Sequence, residues 1–313
     1  MSMLHAPNYK ALWDAKASTT QGALLAVDGS TNEDVLRMTG AYSARQVEAA
    51  LDLRATDRVL ELGCGVGRIG RELAPHIAHW EGSDISGNML KVARERLASY
   101  ANVGLTELTR SNFKPLADAS FDKAYCVAVF IHMDKEDFYL YLEDAARVLR
   151  PGGLFYFDAW NVTSPVGWRR FAAELVQYRD VDPSRRKDIG RNQFTSPDEV
   201  RVFLDRAGFD ILGLYADSPW VQAVARRRGG GDAAADRQRV TANAAKIAYP
   251  VLWTEMFDNM IKVQSEGTLT PQAALDAMRD DARGEEIALF RTAFIELWRH
   301  HEDAWGPLPA DVK

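Results

Sequence analysis

The spacing of apolar residues changes period several times after residue 57. Arg58 to Leu62 is a short apolar run of strand length that ends where a group of glycines begins. Helix-forming and apolar residues follow from Arg68 to Ile77, and then comes a second short strand, His79 to Asp84. Ser86 is placed to cap another helix, whose inner side carries Met89. A strand, a helix and a strand in this order predict a βαβ unit with parallel strands.

The glycine group predicts a nucleotide-type cofactor site. Gly63, Gly65 and Gly67 permit a sharp turn with positive φ and let a ligand approach the backbone without meeting a Cβ atom. Residues 65–70 also match the G-x-G-x-x-G pattern of dinucleotide sites, so two cofactor classes compete. Glu61 separates them, because a carboxylate would repel a pyrophosphate but attract the ammonium group of S-adenosylmethionine (SAM). The alternative for Glu61 is a turn cap.

Asp84, at the end of the second strand, is the candidate for ribose binding. It lies about twenty residues beyond the glycines, where the carboxylate of such a βαβ unit accepts hydrogen bonds from both ribose hydroxyls. Both cofactor classes predict this contact. Ile85 is expected to flank the adenine.

These motifs resemble those of the class I SAM-dependent methyltransferases, and the likeness continues through the next hundred residues. Residues 111–122 are similar to the family segment that leads into the fourth strand, Lys123 to Phe130, and residues 149–155 are similar to the family's turn from a helix into the fifth strand. Asn112 stands where the family often has an aspartate that contacts adenine, and an ordinary turn residue is its alternative. The resemblance assigns the following residues to SAM: Glu61, Gly63, Cys64, Gly65, Gly67, Arg68, Asp84, Ile85, Met89, Asn112, Phe113 and Val127.

The end of this region indicates how the sheet closes. Ser196 starts a helix that stops at Gly208, and two strands follow, Asp210 to Tyr215 and Trp220 to Arg226. A short Ser-Pro connection between them implies an antiparallel hairpin, which in this family is a seventh strand inserted beside the sixth. The predicted fold is therefore α/β, a seven-stranded, mostly parallel, doubly wound sheet with a terminal antiparallel hairpin strand, N-terminal helices and a C-terminal helical module.

Composition agrees with an enzyme that stays in the cytoplasm. The chain has 313 residues, of which 47% are hydrophobic and 26% charged, enough to bury a full core. The segment Met1 to Lys10 lacks the apolar core of a signal peptide, and no membrane partner is expected. Two cysteines, Cys64 and Cys126, predict reduced thiols, and the lack of a histidine cluster makes a metal site improbable. The net charge of −6 argues against nucleic acid as the methyl acceptor.

Several residues outside the glycine motif are candidates for the acceptor side. His132 is expected at the carboxyl end of the fourth strand, where crevice ligands bind, and is the candidate base, with a structural role as its alternative. Tyr9 and Trp13 occupy a helix that in similar enzymes folds over the cofactor, and packing against the core is their alternative. A capping box at Ser43 predicts the start of a second helix that runs toward Leu53. Three further candidates end the fifth strand, where strand termination and loop packing are the alternative: Asp158, Trp160 and Asn161.

Three basic clusters offer positive charge, at residues 169–170, 185–187 and 226–228. The first two lie in an insertion that commonly roofs the acceptor site of this family, so they could hold a phosphate or carboxylate. Solvated faces are the favoured alternative, and the third cluster is expected to be solvated.

The chain divides into four predicted segments: an N-terminal helical cap (1–53), a SAM-binding domain (54–228), a flexible linker (229–236) and a C-terminal helical module (237–313). The apolar faces of the module are expected to pack either over the acceptor site or against a second copy of the chain, with a homodimer preferred.

The predicted function is methyl transfer from SAM to a small molecule, at an oxygen of a sugar or secondary metabolite. Two alternatives stay open at this point: an NAD-linked oxidoreductase and a SAM-binding scaffold without turnover.

Overall fold

A computed structural model describes residues 9–109, 112–182 and 192–312 of the chain. Within these ranges the strands belong to one sheet. Their bounds are β1 Arg58–Leu62, β2 His79–Asp84, β3 Val103–Glu107, β4 Phe121–Cys126, β5 Leu149–Asn161, β6 Phe194–Thr195, β7 Phe209–Tyr215 and β8 Trp220–Arg227.

The sheet is mostly parallel and has the order β3-β2-β1-β4-β5-β8-β7, with β6 paired to β5 outside this path. Strands β1 to β6 run parallel to one another, whereas β8 is antiparallel to both β5 and β7. The predicted fold class is confirmed, and the two-residue β6 is an addition that the sequence did not indicate. The strand order changes direction between β1 and β4, so the carboxyl ends of these strands form the crevice where ligands of such sheets bind.

Helices cover both faces of the sheet. α6 and α8 pack on the face to which Leu60 and Phe157 point, whereas α3, α4, α5, α9 and α10 pack on the face of Val59 and Tyr156. Burial on both faces explains why β1 and β5 are apolar at most positions. The helix bounds are α1 Tyr9–Lys16, α2 Thr20–Asp28, α3 Glu33–Leu51, α4 Arg68–Leu73, α5 Gly87–Arg96, α6 Lys135–Val148, α7 Pro165–Tyr178, α8 Pro197–Arg206, α9 Ala233–Ala242, α10 Ala244–Ile247, α11 Val251–Ile261, α12 Pro271–Asp276, α13 Glu286–Arg299 and α14 Glu302–Trp305.

The capping box predicted at Ser43 is wrong. Helix α3 runs without a break from Glu33 to Leu51, and its N-cap is Asn32, whose side chain accepts a hydrogen bond from the Asp34 amide at 2.8 Å. Ser43 is buried inside the helix, and its hydroxyl accepts a hydrogen bond from Arg68. A Ser-x-x-Gln motif occurs both at the start of a helix and in its interior, so the motif alone could not distinguish a helix start from a helix interior. The short helix α2 was also not predicted.

The fourth strand is shorter than predicted. β4 ends at Cys126 because Ala128 adopts a left-handed conformation with φ of 58°, and residues 130–132 form a 3₁₀ turn. His132 therefore lies in a turn beyond the strand. Its side chain direction is set by this turn and not by the alternation of the strand.

The third basic cluster is not solvated as predicted, because Arg226 is buried. Its guanidinium donates to the carbonyl oxygen of Gly230 at 2.9 Å and forms an ion pair with Asp236. The predicted linker 229–236 contains the first turn of α9, which Asp232 caps by accepting from the amides of Ala234 and Ala235. The four-segment division of the chain stays a prediction.

The apolar faces of the C-terminal helices pack largely within the chain. α11, α12 and α13 share a core that includes Met256, Leu275, Phe294 and Trp298, and α11 also packs against α7. The homodimer through these helices stays a prediction.

Gly70 serves the packing of α4 on the sheet. A Cβ atom at this position would lie 2.3 Å from the indole ring of Trp80 on β2. We expect Gly70→Ala to lower the free energy of unfolding by about 1–3 kcal/mol, because the indole is fully buried and has to shift. Chemical denaturation measures this. Gly87→Ala is the control, since its Cβ would meet only the flexible end of Glu107, and equal stability of the two variants would contradict the packing role.

Candidate functional site

The glycine turn after β1 has the backbone that its sequence requires. Gly63, Gly65 and Gly67 have φ values of 67°, 53° and 76°, where side chains with a Cβ are strained. A Cβ at Gly63 would also lie 2.4 Å from Val129, so the turn packs tightly against the segment after β4. The turn leads into α4, which starts without a side-chain cap, and the first residues of this helix, Arg68 and Ile69, line the crevice.

Asp84 closes this turn from the neighbouring strand. One of its carboxylate oxygens accepts a hydrogen bond from the Gly65 amide at 2.9 Å, and the other accepts from the Ser86 amide at 2.8 Å. Burial raises the pKa of Asp84 to about 6 although both amide bonds favour its charged form. The carboxylate lies where the sequence predicted it, at the carboxyl end of β2, in reach of a ligand in the crevice.

Glu61 is held by aromatic partners that the motif did not reveal. The hydroxyl of Tyr125 donates to Glu61 at 2.6 Å, and the indole of Trp80 donates in turn to Tyr125 at 2.9 Å. Burial raises the pKa of Glu61 to about 8, against the effects of Tyr125 and of the nearby charge on Arg68. A buried carboxyl group of this kind gains from a cationic ligand, because the ligand favours its ionised form. Tyr125 pairs directly with Glu61 in the β1–β4 register, so the strand alignment would have indicated it.

One cavity joins most of the predicted residues. The predicted residues that line it are Tyr9, Trp13, Glu61, Gly63, Cys64, Gly65, Arg68, Asp84, Ile85, Met89, Val127 and His132. The sequence did not single out the remaining wall, which is mainly apolar: Ala26, Val27, Leu62, Ile69, Leu108, Ala128, Val129, Ile131, Met133 and Tyr141. The residues of this remaining wall come from six separate parts of the chain. Their apolar pattern is that of ordinary core residues, so the sequence does not distinguish them as lining a cavity.

Three predicted cofactor residues lie outside this lining. Asn112 accepts a hydrogen bond from the Lys114 amide at 3.0 Å, which is the turn role that the sequence offered as its alternative. Phe113 is buried in the core with its ring against Tyr141, and Gly67 packs toward Leu97 as the N-cap of α4. The adenine contact of Asn112 stays a prediction that the cavity does not support.

The N-terminal helices form the roof of the cavity. Lys10 donates to the carbonyl oxygen of Ile85 at 3.2 Å, and Asp14 accepts from the Ser86 hydroxyl at 2.7 Å. The hydroxyl of Tyr9 accepts from the Asp134 amide at 3.1 Å. α1 is thus fastened to the segments that follow β2 and β4, and it carries Tyr9 and Trp13 on the cavity wall.

His132 lies on the cavity wall under this roof. Its ring contacts that of Trp13 edge to face, with 4.9 Å between ring centroids. Burial, followed by the charge of Lys16, lowers the pKa of His132 to about 4, so the ring is neutral at physiological pH. Its Nδ1 atom is buried and has no hydrogen-bond partner among the described residues. A neutral imidazole with an unused nitrogen can accept a proton or bind a hydroxyl.

The candidates at the end of β5 have structural partners instead. Asp158 is fully buried between the Ala128 amide and the Tyr249 hydroxyl, at 2.7 and 2.8 Å. Trp160 stacks on Trp220 with 4.8 Å between centroids. Asn161 bonds the carbonyl oxygens of Ala216 and Ser218 and the Thr163 amide. The cavity that the described residues form is not lined by Asp158, Trp160 or Asn161.

The first basic cluster is paired within the chain. Arg169 forms ion pairs with Asp258 and Glu266, and Arg170 with Glu174. The second cluster, residues 185–187, lies outside the described residues. In the part of the chain that the structure covers, no group of His, Cys, Asp and Glu side chains could hold a metal ion. No helix in those ranges is long and apolar enough to cross a membrane.

Comparison with known proteins identifies the family of this site. A family model described as a methyltransferase domain matches residues 59–153, from β1 into β5. The O-methyltransferase rstn1 of Aspergillus nomiae is 32% identical over 193 residues, which cover 59% of this chain and 78% of the relative. The 24-methylenesterol C-methyltransferase 2 of Oryza sativa is 36% identical over 176 residues, 53% of this chain and 45% of that protein.

A solved structure supports the fold. Magnesium protoporphyrin IX methyltransferase of Synechocystis, determined with bound SAH, superposes with a TM-score of 0.52 at 17% identity, over 70% of this chain and 97% of that one. The dinucleotide alternative loses its basis, because the family model and both curated relatives are methyltransferases. The chain belongs to the class I SAM-dependent methyltransferases, and SAM is its cofactor.

Proposed function

We propose that this methyltransferase transfers the methyl group of SAM to an oxygen of a small molecule, either a sugar or a secondary metabolite. The observation that carries the proposal is His132, a neutral imidazole with an unused buried nitrogen on the wall of the cofactor cavity. SAM supplies the methyl group on a sulfonium leaving group, so the protein mainly has to position the acceptor and accept a proton.

A histidine with a low pKa is sufficient for this proton transfer. An alcohol oxygen that gains a bond to the methyl group becomes a strong acid, and its proton then moves even to a weak base. Because the pKa of His132 lies near 4, the ring keeps its accepting lone pair throughout the physiological range. An amine nitrogen that is already unprotonated reacts through its own lone pair and needs no such base.

The residues that hold SAM in this proposal are those of the glycine turn, with Asp84 on the ribose hydroxyls and Glu61 on the ammonium group. Gly63 and Gly65 line the cavity with positive φ and no Cβ atom, and both carboxyl groups line it as well. Tyr9 and Trp13 then exclude water from the reacting atoms, since both side chains line the cavity.

The acceptor can be found by incubating the protein with methyl-labelled SAM and a metabolite extract. Mass spectrometry identifies what gains the label, and NMR distinguishes a methyl group on oxygen from one on carbon or nitrogen by its chemical shift. An O-methyl product is expected. A C-methyl product would contradict the oxygen assignment, and tight SAM binding with no labelled product would favour the scaffold alternative.

His132→Gln should reduce turnover by about 100-fold or more while the Kd for SAM changes little, because general-base catalysis contributes on the order of 10²–10⁴ in rate. Initial rates with the identified acceptor and calorimetric titration with SAM measure the two effects. His79→Gln is the control, since His79 lies at the end of β2 that is opposite to Asp84 and the cavity, where its ring bonds Glu81. Wild-type turnover in His132→Gln would make the histidine structural.

A further inference from the structure

The C-terminal part of the chain reaches the cofactor cavity through one buried carboxylate. Asp158 in β5 has no solvent exposure, and each of its oxygens has a different partner. One accepts from the Ala128 amide at 2.7 Å, and the other accepts from the hydroxyl of Tyr249 at 2.8 Å. Tyr249 comes from the segment between α10 and α11, 91 residues away in sequence.

The Ala128 amide belongs to a turn whose conformation needs an external restraint. Ala128 has a φ of 58°, which residues with a Cβ atom rarely adopt. Its neighbours Val127 and Val129 line the cavity with it, and Val129 fills the space beside Gly63. The amide of His132 closes the following turn on the carbonyl oxygen of Val129 at 2.9 Å. The hydrogen bond that the Ala128 amide donates to Asp158 therefore fixes the start of a segment that carries both a cofactor wall and the candidate base.

Tyr249 is also held in place by contacts other than its hydrogen bond to Asp158. Its amide donates to the Gln222 side chain at 2.7 Å, and Gln222 lies opposite Asp158 in the β5–β8 pairing. Its ring packs on Trp220 and Trp253, each at 4.8 Å between centroids. The hydroxyl thus has a defined position, and removing it would leave one oxygen of a fully buried carboxylate without a donor.

We propose that Tyr249 is a positioning residue for the cofactor site, which acts through Asp158 on the turn formed by residues 127–132. The C-terminal segment then sets the shape of the SAM cavity without lining it. This inference depends on the cofactor and the fold and not on the acceptor chemistry proposed above, so either can fail alone.

Tyr249→Phe tests the proposal because it removes only the hydroxyl. We expect the Kd for SAM, measured by calorimetric titration, to rise about tenfold, as when a hydrogen bond to a buried charged group is lost. Hydrogen exchange should become faster at the Ala128 amide in the same variant. Asp158→Ala should give a similar loss, and Asp158→Asn should recover most of it, since an amide can accept from Ala128 and donate to the Tyr249 oxygen.

Tyr215→Phe is the matched control. Its hydroxyl also joins the C-terminal helices to the sheet, by donating to the carbonyl oxygen of Val240 at 3.2 Å, but it lies on β7 away from the cavity. This variant should bind SAM like the wild type and keep its exchange rate at Ala128. If Tyr249→Phe melts at a lower temperature but binds SAM with unchanged affinity, or if Asp158→Asn is as damaging as Asp158→Ala, the positioning role is overturned.

Discussion

Replacing Asp84 by Ala is expected to weaken SAM binding by about 100-fold or more, because hydrogen bonds to a buried carboxylate contribute roughly 1.5–3 kcal/mol each. The variant would lose the contacts that we propose between Asp84 and the ribose hydroxyls. It would also release the amides of Gly65 and Ser86, which Asp84 holds at 2.9 and 2.8 Å. Calorimetric titration with SAM measures the change in Kd.

Asp57→Ala separates this effect from a general loss of a buried acid. Asp57 is also buried and accepts from a backbone amide, that of Arg54 at 2.9 Å, but it precedes β1 at the end of the sheet far from the crevice. The Asp57 variant should lose stability and keep its affinity for SAM. Unchanged affinity in Asp84→Ala would remove the ribose assignment.

The parts of this site that the sequence predicted are those whose geometry is local. A glycine with positive φ and a carboxylate at the end of the next strand are fixed by a few neighbouring residues, so Gly63, Gly65 and Asp84 lie where their motif requires. The same holds for the sheet, since alternating strands and helices restrict the order in which parallel strands pair. Even local patterns give a wrong prediction where the same motif fits a helix start and a helix interior, as at Ser43.

The parts that the sequence missed depend on contacts between distant segments. The role of Asp158 is set by Tyr249, which lies 91 residues away in sequence. Asp158 was singled out as an acceptor-side residue because it ends a strand near the crevice. Its oxygens are used instead by a turn and by the C-terminal segment, which no spacing within β5 could indicate.

Binding of SAM should release close to one proton at pH 7 if Glu61 receives the ammonium group. Burial raises the pKa of Glu61 to about 8 in the protein without ligand, so the carboxyl group is mostly protonated at pH 7. An ammonium group favours the ionised form, and the proton must leave as SAM binds. The affinity should therefore rise by up to about tenfold per pH unit as the pH approaches 8, and level off above it. Titrations in buffers of different ionisation enthalpy count the released protons.

The raised pKa of Glu61 also determines how the free energy of unfolding changes with pH, which can be measured without SAM. Glu61 loses its proton near 4.5 in the unfolded chain and near 8 in the folded one. Its contribution to the free energy of unfolding is therefore complete below pH 4.5 and decreases as the pH rises toward 8. Glu61→Gln removes this decrease, so its stability relative to the wild type should improve between pH 5 and 8.

Glu61→Gln also tests the proton release directly, because an amide has no proton to give up in this range. Asp84 and Asp158 have pKa values near 6, so both are mainly ionised between pH 7 and 8, where Glu61 titrates. Glu81→Gln is the matched control on the adjacent strand, where the acid bonds His79 and Thr106 outside the cavity lining. If Glu61→Gln releases a proton on binding SAM just as Glu81→Gln does, the ammonium group binds elsewhere. The carboxylate before the glycine turn would then serve only to hold Tyr125.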